Sequence, residues 1–252
     1  MLHREDHGAV AVLRMEHGKA NALDLELIDA IGDALRDIEE AGSHSAVVLT
    51  GTGPMFSAGV DLFRFLESGD SYLNQFFEAM VRSFRALFTF PRPLVAAVNG
   101  HAIAGGAVMA AAADYRVMSI GNGKIGVPEL RVGIPFPVAA IEILRFAAST
   151  QHLQELVYLG RAYAVEEAHQ VGLIDEIAEA PALRDRALDV AQSLGSMPPA
   201  RFGITKRELR APAIDRIERL SPRIDPEVLE GWKAPETHRA IRAYVEQTLK
   251  KT

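Results

Sequence analysis

The chain reads as an α/β protein with a helical C-terminal piece. Three observations on its 252 residues lead there. Short apolar runs alternate with longer stretches whose apolar residues recur at helical spacing. Residues 93–115, PLVAAVNGHAIAGGAVMAAAADY, join a strand core, two glycine turns and an alanine-rich helix start. Beyond Pro198-Pro199 the strand-like runs stop and the sequence turns helical and charged.

Taken in order, residues 8–15 (GAVAVLRM) read as a first strand and His17-Gly18-Lys19 as a turn. The residues before this strand, with His3 and His7 four apart, belong to a terminus expected to fray, where a metal site is not expected. Asn21 or Asp24 can cap a helix over residues 25–40, with Leu27, Ile28, Ile31, Ala34, Leu35 and Ile38 on one face. Residues 45–50 are a second strand and Gly51-Thr52-Gly53-Pro54 a turn. Residues 72–88 form a long amphipathic helix that stops before Pro91 and Pro93. The strand and helix of 93–115 follow, then a strand at 115–118, a Gly121-Asn122-Gly123 turn, and helices over 138–148, 150–159 and 165–170. A short strand at 173–177 precedes an amphipathic helix over 181–194. In the C-terminal segment Pro212, Pro222, Pro226 and Pro235 are expected to break the helix. The organisation predicted is a core over residues 1–197 and a C-terminal helical region over 198–252.

Composition narrows the function. Hydrophobic residues make up 48% and charged residues 24%, with a net charge of −6. That acidity argues against nucleic acid or an anionic membrane surface as partner. Cysteine is absent, which removes disulfides, thiol catalysis and cysteine metal sites. No apolar run approaches the roughly 20 residues of a membrane span. MLHREDHG carries no secretory apolar segment and LKKT is not the peroxisomal tripeptide, so the expectation is a cytoplasmic protein.

The strand, glycine turn and helix start of residues 94–113 present unpaired N–H groups and the positive end of a helix dipole. A phosphate loop is not spelled there, because Gly106 and Ala107 stand where lysine and a hydroxyl residue belong. A backbone N–H aimed at a developing oxyanion and simple close packing both stay open. Glu129, in KIGVPELRVGIPFP, is an acid in apolar surroundings, which raises a carboxyl pKa toward neutrality and suits a proton shuttle. Pairing with Arg131 or another base is the alternative. Ser57 lacks the first glycine of a nucleophile elbow and is read as structural, and His101 as a turn histidine. Lys19, Arg92 and Lys206 are surface cations, open to phosphate contacts or simply solvated.

Five stretches in order, GKANALDLELIDAI, TGTGPMFSAGVDL, PLVAAVNGHAIAGGAVMAAAADYRV, GKIGVPELRVGIP and LGRAYAVEEAHQVGLIDEI, resemble the crotonase superfamily, the enoyl-CoA hydratases and isomerases. The resemblance runs from about Gly8 to Ile177 and is loose beyond, chiefly at FGITKREL. It implies a crotonase-like spiral of ββα units with a C-terminal helical region, an acyl-CoA thioester substrate, isomerase or lyase chemistry of the fatty-acid type, and a homotrimer or a hexamer built as a dimer of trimers. No cofactor or metal is implied, since coenzyme A enters as part of the substrate. Ala58 and Gly105 match the two backbone N–H donors that hold the thioester oxygen, and Glu129 matches a catalytic glutamate. Lys19, Ala20, Ala22, Val60 and Asp61 match segments that cradle coenzyme A. Leu62, Gly106 and Pro128 lie in the matched stretches and are assigned to substrate binding with them. Hydratases carry a further glutamate where this chain has Val108. Several hydrolases, dehalogenases and dienoyl isomerases carry an aspartate where it has Pro137. The remaining single-glutamate pattern resembles the Δ3,Δ2-enoyl-CoA isomerase branch. A hydratase or hydrolase drawing an acid from elsewhere, such as Glu142, and a non-catalytic acyl-CoA-binding scaffold are the other readings.

Overall fold

The computed structural model describes residues 1–249. Among the described residues ten strands fall into two sheets. The larger has the order β1-β2-β3-β5-β7-β10 and the smaller β4-β6-β8-β9. The larger contains β1 (Leu2–His7), β2 (Val10–Met15), β3 (Ala46–Thr50), β5 (Leu94–Val98), β7 (Tyr115–Ser119) and β10 (Glu176–Ala178). The smaller contains β4 (Met55–Ser57), β6 (His101–Ile103), β8 (Lys124–Gly126) and β9 (Ala162–Ala164). Each winding of the chain lays one strand in each sheet: β3 then β4, β5 then β6, β7 then β8. Within each sheet these successive strands run parallel. The result is the crotonase-like spiral.

The inner strands of the large sheet are buried on both faces, which is why β2, β3 and β5 read as continuous apolar runs. Along β2, Val10 and Val12 face one side while Ala11, Leu13 and Met15 face the other. On the first side packs α8 (Leu183–Gly195) through Leu183, Ala187, Leu188 and Ala191. The main core lies on the other side. There α1 (Leu25–Ala41) and α3 (Asp70–Thr89) pack on each other and on the short, wholly buried α4 (Gly105–Ala112). Asp24 is the N-cap of α1, its carboxylate accepting from the Leu27 N–H at 2.9 Å. The helices α2 (Leu62–Glu67), α5 (Val138–Ala147), α6 (Thr150–Tyr158) and α7 (Val165–Gln170) complete the spiral.

Three expectations are corrected. The N-terminus does not fray: β1 pairs antiparallel with β2 in full register from Leu2–Met15 to His7–Val10, because backbone ladder bonds hold what its charged side chains do not. The strand expected at residues 173–177 lies at Glu176–Ala178, with Leu173 and Ile174 buried in a turn. The C-terminal prolines do not break the helix. α9 runs unbroken over Pro199–Lys233 through Pro212, Pro222 and Pro226, and only Pro235 opens a new helix, α10 (Pro235–Tyr244). An interior proline costs ~3 kcal/mol. The opposing term is tertiary burial: Ala213, Val228 and Trp232 of α9 and Ile241 of α10 belong to the main core, and buried Asp225 accepts from the Val138 N–H at the start of α5 at 2.9 Å.

The surface cations at positions 92 and 206 are also corrected. Arg92 donates to the carbonyls of His44 and Glu39, closing the end of α1. Lys206 is 6% exposed and pairs with Asp114 at 2.6 Å; burial pushes its ammonium down to about 8 although Asp114 opposes the shift.

Candidate active site

A cavity of about 1020 Å³ opens between the small sheet, the N-terminus of α4 and the segment from Pro128 to Pro137. Lys19, Ala20, Ala22, Ala58, Val60, Asp61, Leu62, Gly105, Pro128 and Glu129 all line it. The fold thus gathers residues from four separated stretches. Gly106 is the exception. It does not line the cavity; a Cβ there would lie 2.5 Å from the Ser57 carbonyl oxygen, so this glycine serves close packing of α4 on β4.

Two backbone N–H groups point into the cavity. At the start of α4, Gly105 has no intrahelical acceptor for its N–H. The preceding residue, Ala104, holds a left-handed φ of 54°, a conformation costing about 1–3 kcal/mol outside glycine. It is fixed by its own N–H donating to the Gly126 carbonyl at 2.8 Å and by its carbonyl accepting from Ala107 at 2.9 Å. The strain therefore aims the Gly105 N–H.

The second donor is Val60, a correction to the assignment of Ala58. The Ala58 N–H is already used, donating to the Ala20 carbonyl at 3.0 Å. Two residues on, Leu23 and Val60 form a parallel bridge in which Leu23 donates to Gly59 at 2.8 Å and Asp61 donates to Leu23 at 3.0 Å. In parallel pairing the N–H of the intervening residue faces the opposite way. The Val60 N–H therefore faces the cavity and has no acceptor among the described residues. Gly59 lets the two donor segments meet: its φ is +79°, and a Cβ there would lie 2.6 Å from the Ala104 Cβ.

Polar side chains lock this frame. Asn21, with φ 47°, donates to the carbonyls of Met55 and Phe56 at 3.1 and 3.2 Å. Ser57 donates to the Asn21 carbonyl at 2.7 Å and accepts from the Gly59 N–H at 3.1 Å, which makes it structural. Asp61 caps α2, accepting from Phe63 and Arg64 at 3.0 Å each. Its Oδ1 is thereby committed to the cap.

Glu129 opens a short 3₁₀ turn, Glu129–Val132, that Gly133 terminates. The residue is half-buried, but its Oε2 is sealed from solvent and has no partner. Arg131 does not pair with it. Burial pushes the Glu129 carboxyl up to about 8, against only the opposing pull of its own backbone N–H. Val108 and Pro137 line the same cavity and bring no titratable group. Glu142 is not available to the site. It is buried and held by Arg216 at 2.6 Å and Arg145 at 3.3 Å.

The sequence reading took His101 for a turn histidine, and it stands at the cavity wall; Lys124, and Trp232 and Tyr244, which reach the cavity from the C-terminal helices, were not assigned to the site. The Asn99-Gly100 turn before His101 and the glycine turn before Lys124 were visible; nothing in the sequence places Trp232 or Tyr244 beside Glu129. Among the described residues no group of three or more His, Cys, Asp or Glu is placed to hold a metal ion, and no helix is long and apolar enough to cross a membrane.

The sequence matches the family model described as enoyl-CoA hydratase/isomerase over residues 5–250. The chain belongs to the enoyl-CoA hydratase/isomerase family. A Thermus thermophilus relative, provisionally named an enoyl-CoA hydratase, is 33% identical over 210 residues, 82% of each chain. A carnitinyl-CoA dehydratase of Salmonella enteritidis is 29% identical over 211 residues, 83% of this chain and 80% of that one. The crystal structure of human mitochondrial Δ3,Δ2-enoyl-CoA isomerase superposes with a TM-score of 0.95 at 23% identity, covering 100% of this chain and 99% of that one. At that identity the likeness shows the fold, which this family member shares in full, including its C-terminal helices.

Proposed function

We propose that the protein moves the double bond of a 3-enoyl-CoA to give the 2-trans-enoyl-CoA, with Glu129 as the only proton carrier. The observation that carries this reading is the state of the acids in the cavity. Glu129 is sealed, unpaired and raised to about 8, while Asp61 is committed to a helix cap.

The thioester oxygen lies between the N–H groups of Val60 and Gly105. The Glu129 carboxylate removes a proton from C2, and the electron pair spreads over the carbonyl and the former double bond as a dienolate. Both donors face the oxygen on which charge accumulates, an interaction worth about 2.7–4 kcal/mol per donor in comparable sites. Glu129, now protonated, returns the same proton to C4. A carboxylate with a pKa near 8 is a stronger base than an ordinary one, which narrows the gap to a weakly acidic C–H. Val108 keeps the far side of the dienolate apolar. Coenzyme A arrives as part of the substrate and no separate cofactor enters the mechanism. We place its nucleotide and pantetheine along Lys19, Ala20, Ala22 and Leu62, with Lys124 adding positive charge at the rim.

Hydration is the second reading, favoured by the hydratase and dehydratase names of the relatives. Label transfer separates the two. With a 3-enoyl-CoA deuterated at C2 and turned over in ordinary water, a single sealed base delivers part of the deuterium to C4 of the product. Complete loss of label to solvent would contradict a lone, shielded Glu129. Family membership also leads us to propose a homotrimer or dimer of trimers, for which Tyr158, Leu159, Ile204 and Leu209 stand exposed.

A further inference from the structure

The cavity changes character along its length. At its open end stand Lys19, Lys124 and Phe63, the last 46% exposed. Its inner wall is built from Met80, Phe84, Val108, Ala140 and Trp232, each at most 2% exposed. Trp232 is the chain's single tryptophan and the largest side chain of that wall. It comes from α9, outside the spiral.

The indole is held from several sides. Its ring meets Phe77 edge-on at 5.2 Å and lies 5.7 Å from Phe65 and 6.3 Å from Phe76. Its Nε1–H donates to the Pro135 carbonyl at 2.9 Å. The one polar atom of the side chain is thus satisfied by backbone, and three aromatic rings fix its plane. Such a wall stays dry and resists displacement, because turning the indole aside would leave the Pro135 carbonyl without its donor.

We propose that Trp232 is the specificity-determining residue for the acyl group: it closes the apolar end of the cavity and limits the length of chain that fits. Helix α9 then selects the substrate, while the spiral supplies Glu129 and the two N–H donors. The proposal rests on the reading of this cavity as an acyl-CoA site, but not on which reaction occurs there.

The test uses saturated acyl-CoA esters, which cannot react by either chemistry. Fluorescence of the single tryptophan is followed while coenzyme A and its butanoyl, octanoyl and dodecanoyl esters are titrated in, with calorimetry run in parallel. Emission should shift with the longer esters and not with coenzyme A alone. In the wild type, affinity should drop by about tenfold or more once an added methylene no longer fits. In Trp232→Ala that drop should move to longer chains, and Trp232→Phe should restore a limit close to the original. Calorimetric binding with emission indifferent to chain length would overturn the assignment while leaving the acyl-CoA reading intact. An unmoved length limit in a folded Trp232→Ala protein would do the same. Absence of all acyl-CoA binding would overturn both. Should Trp232→Ala fail to fold, the wild-type emission series decides alone.

Discussion

Replacing Glu129 by glutamine should lower kcat for the isomerisation of a 3-enoyl-CoA by about 10³-fold or more, the range a general base contributes when no other group can substitute for it. Glutamine keeps the shape and the hydrogen-bonding capacity of the side chain but cannot carry a proton. Binding of a saturated acyl-CoA should therefore change little, and the loss should appear in kcat rather than in KM. The wild-type pH profile follows from the same residue. Burial raises its pKa to about 8 from an ordinary 4.5, so the base form is a minority at neutral pH, and kcat/KM should climb with pH to a plateau above about 8. Stability runs the other way. The folded protein holds a proton that the unfolded chain has lost between about 4.5 and 8, so unfolding becomes easier as pH rises through that window. Glu129→Gln should flatten both dependences.

The second large effect is on folding. Asp114 Oδ2 accepts from Lys206 Nζ at 2.6 Å and from the Leu94 N–H at 2.8 Å, while Oδ1 accepts from Arg210 Nη2 at 2.7 Å. Both cations are nearly inaccessible, Lys206 at 6% and Arg210 at 3%. Arg210 also donates to the carbonyls of Ala112 at 2.9 Å and Ala113 at 3.2 Å, at the C-terminus of α4, where a cation complements the helix dipole. Asp114→Ala leaves two buried cations facing one another without a counter-ion. The expected cost is about 3–5 kcal/mol, read as a fall of roughly 6–20 °C in Tm for a chain of this size. Asp114→Asn should cost less, because its amide oxygen still accepts from Leu94. The cluster joins the start of α9 to the sheet and to the helix whose other end carries the Gly105 donor. A fall of only a degree or two would mean that solvent reaches this cluster.

Much of this architecture was legible in the sequence. Strands of five or six residues and helices of ten or more carry a clear period, so α1, α3, β3, β5 and α5 emerged within a few residues of their observed ends. The small sheet was not legible, because β4, β6, β8 and β9 have three residues each, too few to show an alternation. β1 was missed because LHREDH is charged at an edge, where pairing comes from the backbone. α9 was misjudged because proline's local cost was weighed without the core that Trp232 and Val228 enter.

In the site, four of the five matched stretches located the cavity, but not which atoms face it. Whether Ala58 or Val60 offers its N–H depends on the parallel register with Leu23, and whether Gly105 or Gly106 faces the cavity depends on how α4 sits on Ser57. Both are tertiary facts that residue spacing does not encode. The isolation of Glu129 from Arg131 is another.

The central claim is that one carboxylate and two backbone donors move a double bond without activating water. Purified protein is given a 3-enoyl-CoA in one assay and the matching 2-trans-enoyl-CoA in another. Conversion of the first to the 2-trans product, with no 3-hydroxyacyl-CoA formed from the second, is the result predicted from Glu129 standing alone beside Val108. Rapid hydration of the second would contradict it and would require a second group activating water beside Glu129, where the lining of the cavity places Val108 and Pro137.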